Sequence, residues 1–298
     1  MLVNWQGVYP ALLTPFTKDD KLDLPLFEKN LEAQYKAGVH GVIIGGSLGE
    51  ASTLQVAEKK ELVQVAKNKV GEKIPVILNI AEASTTDAIA QAKLAANWGA
   101  DGLMLLPPMR YKSDDRETAT YFKSVALSTD LPIMIYNNPV DYKIDFHPAL
   151  FDQLVECSNI QALKESSRDV TNLTRMLNRF GDRFKILCGV DTLALEEICL
   201  GAHGWVAGLV DAFPTETVAI WELAKAGKIV EARNIYRWFM PLLELDIHPK
   251  LVQYIKLAAQ ETGIGSEFVR PPRLPLVGEE RDRVLSIIRQ AIACRPAI

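Results

Sequence analysis

The hydrophobic and polar positions of the chain alternate between two kinds of segment. Short apolar runs rich in β-branched residues recur about every 28 residues, and longer segments with an apolar residue every three or four positions lie between them. The short runs predict strands and the longer segments predict helices. Eight strands are expected, at Gly7–Phe16, Val39–Gly46, Pro75–Ile80, Gly102–Pro108, Pro132–Asn138, Ile160–Glu165, Phe184–Val190 and Gly204–Val210.

The helical segments carry start and stop signals. Helical spacing of apolar residues is seen over Leu26–Ala37, Val56–Val70, Thr86–Trp98 and Arg116–Leu127. Glycines follow several helical segments, where a left-handed residue commonly ends a helix: Gly38, Gly71, Gly99, Gly181 and Gly201. Ser84 and Asp169 are the expected N-caps, because their side-chain oxygens can accept from free backbone N–H groups.

The strand composition indicates a parallel sheet. Pro75–Ile80, Gly102–Pro108 and Pro132–Asn138 are almost continuously apolar, which is typical of parallel strands buried on both faces. Eight strand–helix units in series predict an α/β protein with a (β/α)8 TIM barrel, and an open doubly wound sheet is the alternative.

The strand pattern ends near residue 213. Three helical segments follow, at Val230–Leu245, Lys250–Thr262 and Glu279–Ile292, without linker-like composition before them. We therefore expect a catalytic barrel over residues 1–225 and a C-terminal helical extension over residues 226–298 that packs on it.

Composition narrows the class of protein. The chain has 298 residues, with 33 Lys and Arg against 37 Asp and Glu and 48% hydrophobic residues. That balance is typical of a folded domain, and it disfavours nucleic acid or an anionic membrane as a partner. Four scattered cysteines without a C-x-x-C pair predict free thiols in a reducing cytosol. No signal peptide or transmembrane pattern is found, so a cytoplasmic location is expected.

Lys164 is the most unusual residue at the strand ends. Reactive side chains of a parallel barrel lie at the carboxyl ends of its strands, and Lys164 interrupts the apolar sixth strand there. Because burial disfavours an ammonium ion, such a lysine can be a neutral amine that attacks a carbonyl carbon and forms an imine. The alternative is a lysine that turns to solvent or pairs with Glu165.

Other strand ends supply possible partners for that amine. Tyr136 ends the fifth strand, where its phenol either moves protons or fills the barrel mouth. The turn Gly45–Gly49 presents backbone N–H groups suited to a carboxylate or phosphate, and Ser47 adds a hydroxyl to it or caps the next helix. Asp191 and Asp211 follow the last two strands; no partner for them is obvious, and they are interpreted as turn-forming residues.

No metal or cofactor is predicted. The four histidines are isolated, without the clustered carboxylates of a divalent metal site: His40, His147, His203 and His248. The chain also lacks the G-x-S-x-G element of serine hydrolases and the G-x-G-x-x-G element of nucleotide sites.

Four segments, in this order and spacing, resemble the dihydrodipicolinate synthase / N-acetylneuraminate lyase family. They are Gly7–Phe16, Gly46-Ser47-Leu48-Gly49-Glu50, Tyr136-Asn137-Asn138-Pro139 and Leu163-Lys164-Glu165-Ser166. The resemblance covers nearly the whole chain and implies a (β/α)8 barrel, usually a homotetramer built as a dimer of dimers. It also implies a lyase that needs no metal and whose lysine forms a Schiff base with a 2-oxo acid.

The resemblance assigns roles to residues of this chain. It implies Lys164 as the Schiff-base lysine and Tyr136 as the proton-relaying tyrosine. The substrate-binding positions correspond to Gly46, Ser47, Leu48 and Val206. Arg110 stands where the family donates a tyrosine across its tight dimer contact, or Tyr111 takes that place after a local shift.

Further departures distinguish the chain from the synthase of that family. Ser47 and Leu48 stand where the synthase usually has two threonines, so one hydroxyl is lost. Pro139-Val140-Asp141-Tyr142-Lys143 replaces a stretch with an arginine for the carboxylate of the second substrate, and Asp141 would repel that carboxylate. These changes disfavour lysine biosynthesis and favour the catabolic branches of the family.

One branch matches better than the others. The run from Leu243 to Lys256 and the stretch from Arg270 to Leu276 most resemble the 1-pyrroline-4-hydroxy-2-carboxylate deaminases. Such an enzyme opens the ring through its lysine, expels water and releases 2-oxoglutarate semialdehyde and ammonia. The alternatives are a 2-oxo-3-deoxy sugar-acid dehydratase, a pyruvate-yielding aldolase, 4-hydroxy-tetrahydrodipicolinate synthase and a non-enzymatic sensor of 2-oxo acids.

Overall fold

The computed structural model describes residues 2–108 and 111–298. Eight strands occur in this part of the chain: β1 Gly7–Pro10, β2 Val42–Ile44, β3 Val76–Ile80, β4 Gly102–Leu105, β5 Ile133–Asn137, β6 Ile160–Glu165, β7 Lys185–Cys188 and β8 Gly204–Ala207. All eight predicted strands are confirmed. Most are shorter than predicted, because the apolar residues that flank them are buried in loops and do not continue the ladder.

The strands form one parallel sheet that curves into a barrel. Its order is β1-β8-β7-β6-β5-β4-β3-β2. The first and last strands of that order meet through a parallel bridge between Ala11 and Ile43, where Leu12 N donates to the Ile43 carbonyl at 2.9 Å. The barrel is therefore nearly closed, which confirms the TIM barrel over the open doubly wound sheet.

Helices alternate with the strands and continue after them. In the described residues they are α1 Leu24–Ala37, α2 Val56–Val70, α3 Thr85–Trp98, α4 Asp115–Ala126, α5 Pro139–Tyr142, α6 Pro148–Asp152, α7 Val170–Phe180, α8 Ala194–Cys199, α9 Pro214–Lys225, α10 Ile229–Leu243, α11 Leu251–Glu261 and α12 Gly278–Ala293. The helical segments expected from the sequence are confirmed to within two residues at each end.

The predicted helix ends are largely confirmed. Ser84 accepts from the N–H of Asp87, and Asp169 accepts from that of Thr171. Gly38 and Gly99 are left-handed as expected. The glycines after α2 and α7 have positive φ but ψ near −129° and −128°, so their left-handed assignment is wrong, although glycine alone adopts that region easily.

The last three helices form an extension that packs on the barrel. α10 lies against α9 and α12, and the rings of Phe213 and Phe239 meet edge to face at 5.5 Å between centroids. The segment between α10 and α11 reaches the barrel mouth, so the extension contributes to the same cavity as the strand ends. Within the described ranges, no helix combines the length and the hydropathy needed to span a lipid bilayer.

Candidate active site

The carboxyl ends of the strands surround an open cavity of about 490 Å³. Its wall is built from the turn after β2, from the ends of β5, β6, β7 and β8, and from the segment between α10 and α11. A cavity of this size accommodates a small organic acid.

Lys164 lies in this cavity at the end of β6. The parallel register places it beside Tyr136 of β5. It is 7% exposed, and it forms no hydrogen bond or ion pair with the residues that the structure describes. Glu165, the alternative partner, accepts instead from the amides of Asn137 and Asn172. The solvent-facing and Glu165-paired alternatives are therefore wrong.

The charge state of Lys164 is set by burial. Burial lowers the pKa of Lys164 below its usual 10.5, because the cavity solvates an ammonium ion poorly, and the carboxyl of Asp246 opposes this shift. Gly189 allows the close packing, since a Cβ there would lie 2.7 Å from Lys164 Cε and 2.1 Å from Ser166 Oγ. More of the lysine is therefore a neutral nucleophile near pH 7 than in water.

Tyr136 lies directly beside the amine. Lys164 Nζ stands 4.0 Å from the centroid of its ring, and Asn138 Nδ2 donates to its hydroxyl at 3.2 Å. Burial raises the pKa of Tyr136 to about 12, so the hydroxyl keeps its proton in the resting site and can donate it. The sequence predicted this pair, because neighbouring parallel strands bring residues of equal depth together.

Two buried carboxyls, those of Asp246 and Asp191, act electrostatically on the amine of Lys164. Asp246 comes from the segment between α10 and α11 and lines the cavity. Gly208 leaves room for it, since a Cβ there would lie 2.4 Å from Asp246 Oδ1. Burial raises the pKa of both carboxyls. No three His, Cys, Asp or Glu side chains of the described residues gather as a metal ion would require.

Asp191 and Asp211 do lie in short 3-10 turns after β7 and β8, as predicted, but both have partners that the sequence did not show. Asp191 accepts from Trp205 Nε1 at 2.8 Å and from the N–H of Gly208 at 3.1 Å. Asp211 accepts from the N–H of Leu13 at 3.0 Å. Both side chains are fully buried. Asp191 joins the end of β7 to β8, and Asp211 joins the end of β8 to the segment after β1, contacts that form only when the strands pair in the barrel.

The turn after β2 forms another wall. Its segment Gly46–Leu48 lines the cavity, and the N–H groups of Ser47 and Leu48 have no hydrogen-bond partner among the described residues. Gly49 lets the chain pass close to the segment after β1, since a Cβ there would lie 2.8 Å from the carbonyl oxygen of Leu12. Two free N–H groups beside a hydroxyl form a concavity suited to a carboxylate.

The hydroxyl of Ser47 does not cap the next helix. It meets the hydroxyl of Tyr142, with 2.6 Å between Oγ and Oη. Tyr142 ends the short helix α5, which starts at Pro139 after the N-cap Asn138. Its ring meets that of Tyr136 edge to face, at 5.6 Å between centroids, and burial raises the pKa of Tyr142 as well.

The remaining wall carries charges of both signs. Asp141 lines the cavity and accepts from Asn138 Nδ2 at 2.7 Å, so the amide of Asn138 joins this carboxylate to the hydroxyl of Tyr136. Arg168 also lines the cavity, from a loop position with φ 66°, and it forms no ion pair with the residues described. The departure at Asp141 therefore places a negative charge at the site.

A buried ion pair ties the turn to the extension. Glu50 ends the turn, and its Oε1 accepts from Lys256 Nζ of α11 at 2.5 Å, while Oε2 accepts from the N–H of Arg270 at 3.1 Å. Lys256 also donates to the carbonyl of Phe268 at 2.6 Å. Burial lowers the pKa of Lys256 to about 8, although Glu50 acts in the opposite direction. The extension thus helps to hold the turn that lines the cavity.

Most of the predicted site residues share this one cavity. Those that line it are Lys164, Tyr136, Gly46, Ser47, Leu48 and Val206. Tyr111 does not line the cavity of its own chain, because it is 58% exposed and its hydroxyl donates to the Glu117 carboxylate at 3.0 Å. Arg110 lies outside the described residues. A contribution of Arg110 or Tyr111 to a neighbouring subunit stays a prediction.

Sequence reasoning did not assign a role to three residues at this site. Asp246 lies in the run noted for its resemblance, but it is not on a barrel strand, so the strand-end rule does not reach it. Arg168 follows the lysine in a segment with the composition of a loop. Tyr142 belongs to a helix of four residues, which is too short for hydrophobic periodicity to reveal.

Comparisons with known proteins give consistent matches. A family profile described as "Dihydrodipicolinate synthetase family" matches residues 4–291. The chain is 34% identical over 276 residues to a 4-hydroxy-tetrahydrodipicolinate synthase of Exiguobacterium sibiricum, with 92% of each chain covered. It is 31% identical to the protein of the same name from Methanothrix thermoacetophila, with 95% of this chain and 96% of that protein covered.

Solved structures share the fold over almost the whole chain. The 4-hydroxy-tetrahydrodipicolinate synthase of Methylacidiphilum fumariolicum SolV superposes with a TM-score of 0.89 at 29% identity, and 97% of each chain is covered. YagE, a prophage protein of the dihydrodipicolinic acid synthase family from E. coli K12 solved in complex with pyruvate, gives a TM-score of 0.91 at 28% identity. That match covers 98% of this chain and 100% of YagE.

Proposed function

The chain belongs to the dihydrodipicolinate synthetase family and is a class I Schiff-base lyase; we propose that Lys164 is its Schiff-base lysine and that its substrate is a 2-oxo acid or the cyclic imine of one. The observation that carries this proposal is the position of the Lys164 amine in the cavity, against the ring of Tyr136 and without an ion pair to any of the described residues. The non-enzymatic sensor is set aside, since members of the family are lyases.

The site supplies each group that imine chemistry needs. Lys164 attacks the carbonyl or imine carbon of the substrate. The N–H groups of Ser47 and Leu48 hold its carboxylate, as preorganised dipoles that cost no reorganisation during the reaction. Tyr136 moves the proton at C3, because its ring lies against the amine and its hydroxyl is protonated at rest. YagE, which was solved in complex with pyruvate, supports pyruvate as the simplest 2-oxo acid to test.

The first candidate reaction is the synthesis of 4-hydroxy-tetrahydrodipicolinate. It is supported by the names of the relatives in Exiguobacterium sibiricum and Methanothrix thermoacetophila, which cover almost the whole chain. In this reaction the enamine of lysine-bound pyruvate would attack the aldehyde carbon of a second substrate that carries a carboxylate and an amine.

The second candidate reaction is deamination of 1-pyrroline-4-hydroxy-2-carboxylate. It is favoured by Asp141, which puts a negative charge at the cavity wall and would repel the carboxylate of a second substrate. In this reaction Lys164 opens the ring by transimination, the enamine expels the 4-hydroxyl as water, and hydrolysis releases 2-oxoglutarate semialdehyde and ammonia.

Borohydride trapping tests the shared step. The protein is incubated with pyruvate or with the hydroxy-pyrroline, reduced, digested and analysed by mass spectrometry. We expect a reduced adduct on Lys164 and none in a K164A variant. Its absence with both compounds, or its presence on another lysine, would contradict the proposal.

Product analysis separates the two candidate reactions. One reaction contains pyruvate and L-aspartate 4-semialdehyde, and pyruvate consumption is followed. The other contains the hydroxy-pyrroline, and the ammonia released is measured with an ammonia-specific coupled assay. Turnover in the first alone supports the synthase and turnover in the second alone supports the deaminase. Pyruvate release from a 2-oxo-3-deoxy sugar acid would instead support the aldolase.

Assembly is a separate part of the proposal. Family members are typically oligomeric, and we expect this chain to form a homotetramer. Sedimentation equilibrium measures this directly, and a single species at the mass of one chain would contradict it.

A further inference from the structure

Tyr142 has no role in the chemistry described so far, although it lies against the site. It belongs to α5 and not to a barrel strand. Its hydroxyl is 2.6 Å from that of Ser47, whose segment lines the cavity beside the N–H groups assigned to the substrate carboxylate. Its ring packs on the edge of Tyr136. Two hydroxyls at this distance share a strong hydrogen bond in which either can be the donor.

The hydroxyl pair of Ser47 and Tyr142 connects the cavity to the protein surface. Ser47 lies on the cavity side, whereas the neighbours of Tyr142 in the chain, Asp141 and Lys143, are exposed. Tyr142 itself is half-buried. Burial raises the pKa of Tyr142, so its hydroxyl is protonated at rest and can donate a proton to Ser47. A proton can therefore enter at Tyr142 from solvent and leave at Ser47 into the cavity.

We infer that Tyr142 and Ser47 form a proton path within one chain that serves the formation of the Schiff base on Lys164. Tyr142 acts through Ser47 and is a positioning and relay residue, not a group that touches the substrate. This inference rests on the proposed Schiff base at Lys164.

The proton balance of the step defines what the path supplies. The neutral Lys164 amine adds to the substrate carbonyl, and a proton moves from nitrogen to oxygen to give the carbinolamine. The C–O bond then breaks, and the hydroxyl leaves as water with a proton from Ser47 Oγ. Ser47 recovers a proton from Tyr142, and the Tyr142 phenolate takes one from solvent. The nitrogen keeps one proton and becomes the iminium ion.

The test compares the rates at which variants are trapped with pyruvate. Pyruvate is mixed with the protein, quenched with borohydride at increasing times, and the adduct on Lys164 is quantified. The variants are Y142F, S47A and Y142F/S47A, with Y35F on the outer helix α1 as the matched control. Relays of this type contribute about 10²-fold or more, so we expect Y142F to slow trapping about a hundredfold while Y35F leaves it unchanged.

Two readouts separate a relay from a merely structural role. Because Tyr142 acts through Ser47, the double variant should be no slower than S47A alone, and an additive loss would overturn the inference. Pyruvate affinity, measured in a K164A background where no imine forms, should change less than threefold on adding Y142F. A large loss of affinity there would show that Tyr142 shapes the binding site and would also overturn the inference.

The outcomes distinguish this inference from the proposed function. Trapping of the wild type together with equally fast trapping of Y142F overturns the proton path and leaves the Schiff base intact. No trapping of the wild type overturns both. If circular dichroism shows that Y142F does not fold, the trapping rates of S47A and S47T test the path instead. Threonine keeps the hydroxyl, so the path requires that S47T retains most of the trapping rate that S47A loses. Equal loss of trapping rate in the two variants refutes the path.

Discussion

Replacing Lys256 by methionine should lower the free energy of unfolding by about 3 kcal/mol, because it breaks a buried ion pair. Methionine fills a similar volume but leaves the fully buried carboxylate of Glu50 without the ammonium 2.5 Å away. Removing one partner of such a pair typically costs about 3–5 kcal/mol. The lower end applies here, since the N–H of Arg270 still donates to Glu50 at 3.1 Å and Arg273 lies 3.6 Å from it.

The reciprocal variant E50Q adds a pH dependence with a defined sign. Glu50 raises the pKa of Lys256, which burial has lowered to about 8, so E50Q should lower that pKa further. Below the new pKa, the folded state of E50Q carries the full penalty of a buried charge that has lost its partner. As pH rises toward 8, Lys256 in the variant releases its proton, and the cost of E50Q relative to the wild type should decrease.

Urea unfolding followed by tryptophan fluorescence measures these free energies. The double variant E50Q/K256M should cost no more than about 3 kcal/mol, far less than the sum of the single variants, because it leaves no unpaired charge. The matched control is the exposed cluster of Glu32 with Lys36 and Lys69, where E32Q and K36M should have little effect because solvent screens these charges. A loss below about 1 kcal/mol for K256M, or additive losses in the double variant, would refute the reasoning.

Three predictions concern the site itself. K164R should lower kcat at least about a thousandfold and abolish borohydride trapping, because arginine does not become a neutral nucleophile; trapping in this variant would show that another amine reacts. G189A should lower kcat/KM about a hundredfold, because its Cβ would overlap Ser166 Oγ at 2.1 Å and shift Lys164. An unchanged kcat/KM in a steady-state assay would contradict the packing described here. D246N removes a carboxyl that raises the pKa of Lys164. The acid limb of the pH profile for trapping should therefore move to lower pH. If that limb stays in place or moves to higher pH, Asp246 does not act on the amine.

The barrel and the central pair of the site could be predicted because both follow from local patterns. Continuous apolar runs indicated parallel strands, and the strand-end rule then placed Lys164 and Tyr136 in one mouth, as the register of β5 and β6 confirms. The turn at Ser47 and Leu48 was found in the same way. In a regular barrel, the position of a residue along its strand determines whether it lies at the barrel mouth.

The partners of that pair could not be predicted for a physical reason. Asp246 reaches the cavity from a segment between two helices of the extension, and no periodicity relates such a segment to the strand ends. Asp191 finds its donor on β8 and Asp211 finds its donor just after β1, once the strands pair in the barrel. Tyr142 meets Ser47 only because four residues after Asn138 form a helical turn that directs the ring toward β2.

Hydrophobic spacing and residue chemistry thus sufficed for the number of strands, their parallel direction and the presence of an amine among apolar neighbours. The charge that this amine carries, the carboxyls that face it and the hydroxyl that meets Ser47 were decided by packing between distant segments. Periodicity reports which side of an element is buried, whereas electrostatics depends on distances between atoms that only the folded chain brings together.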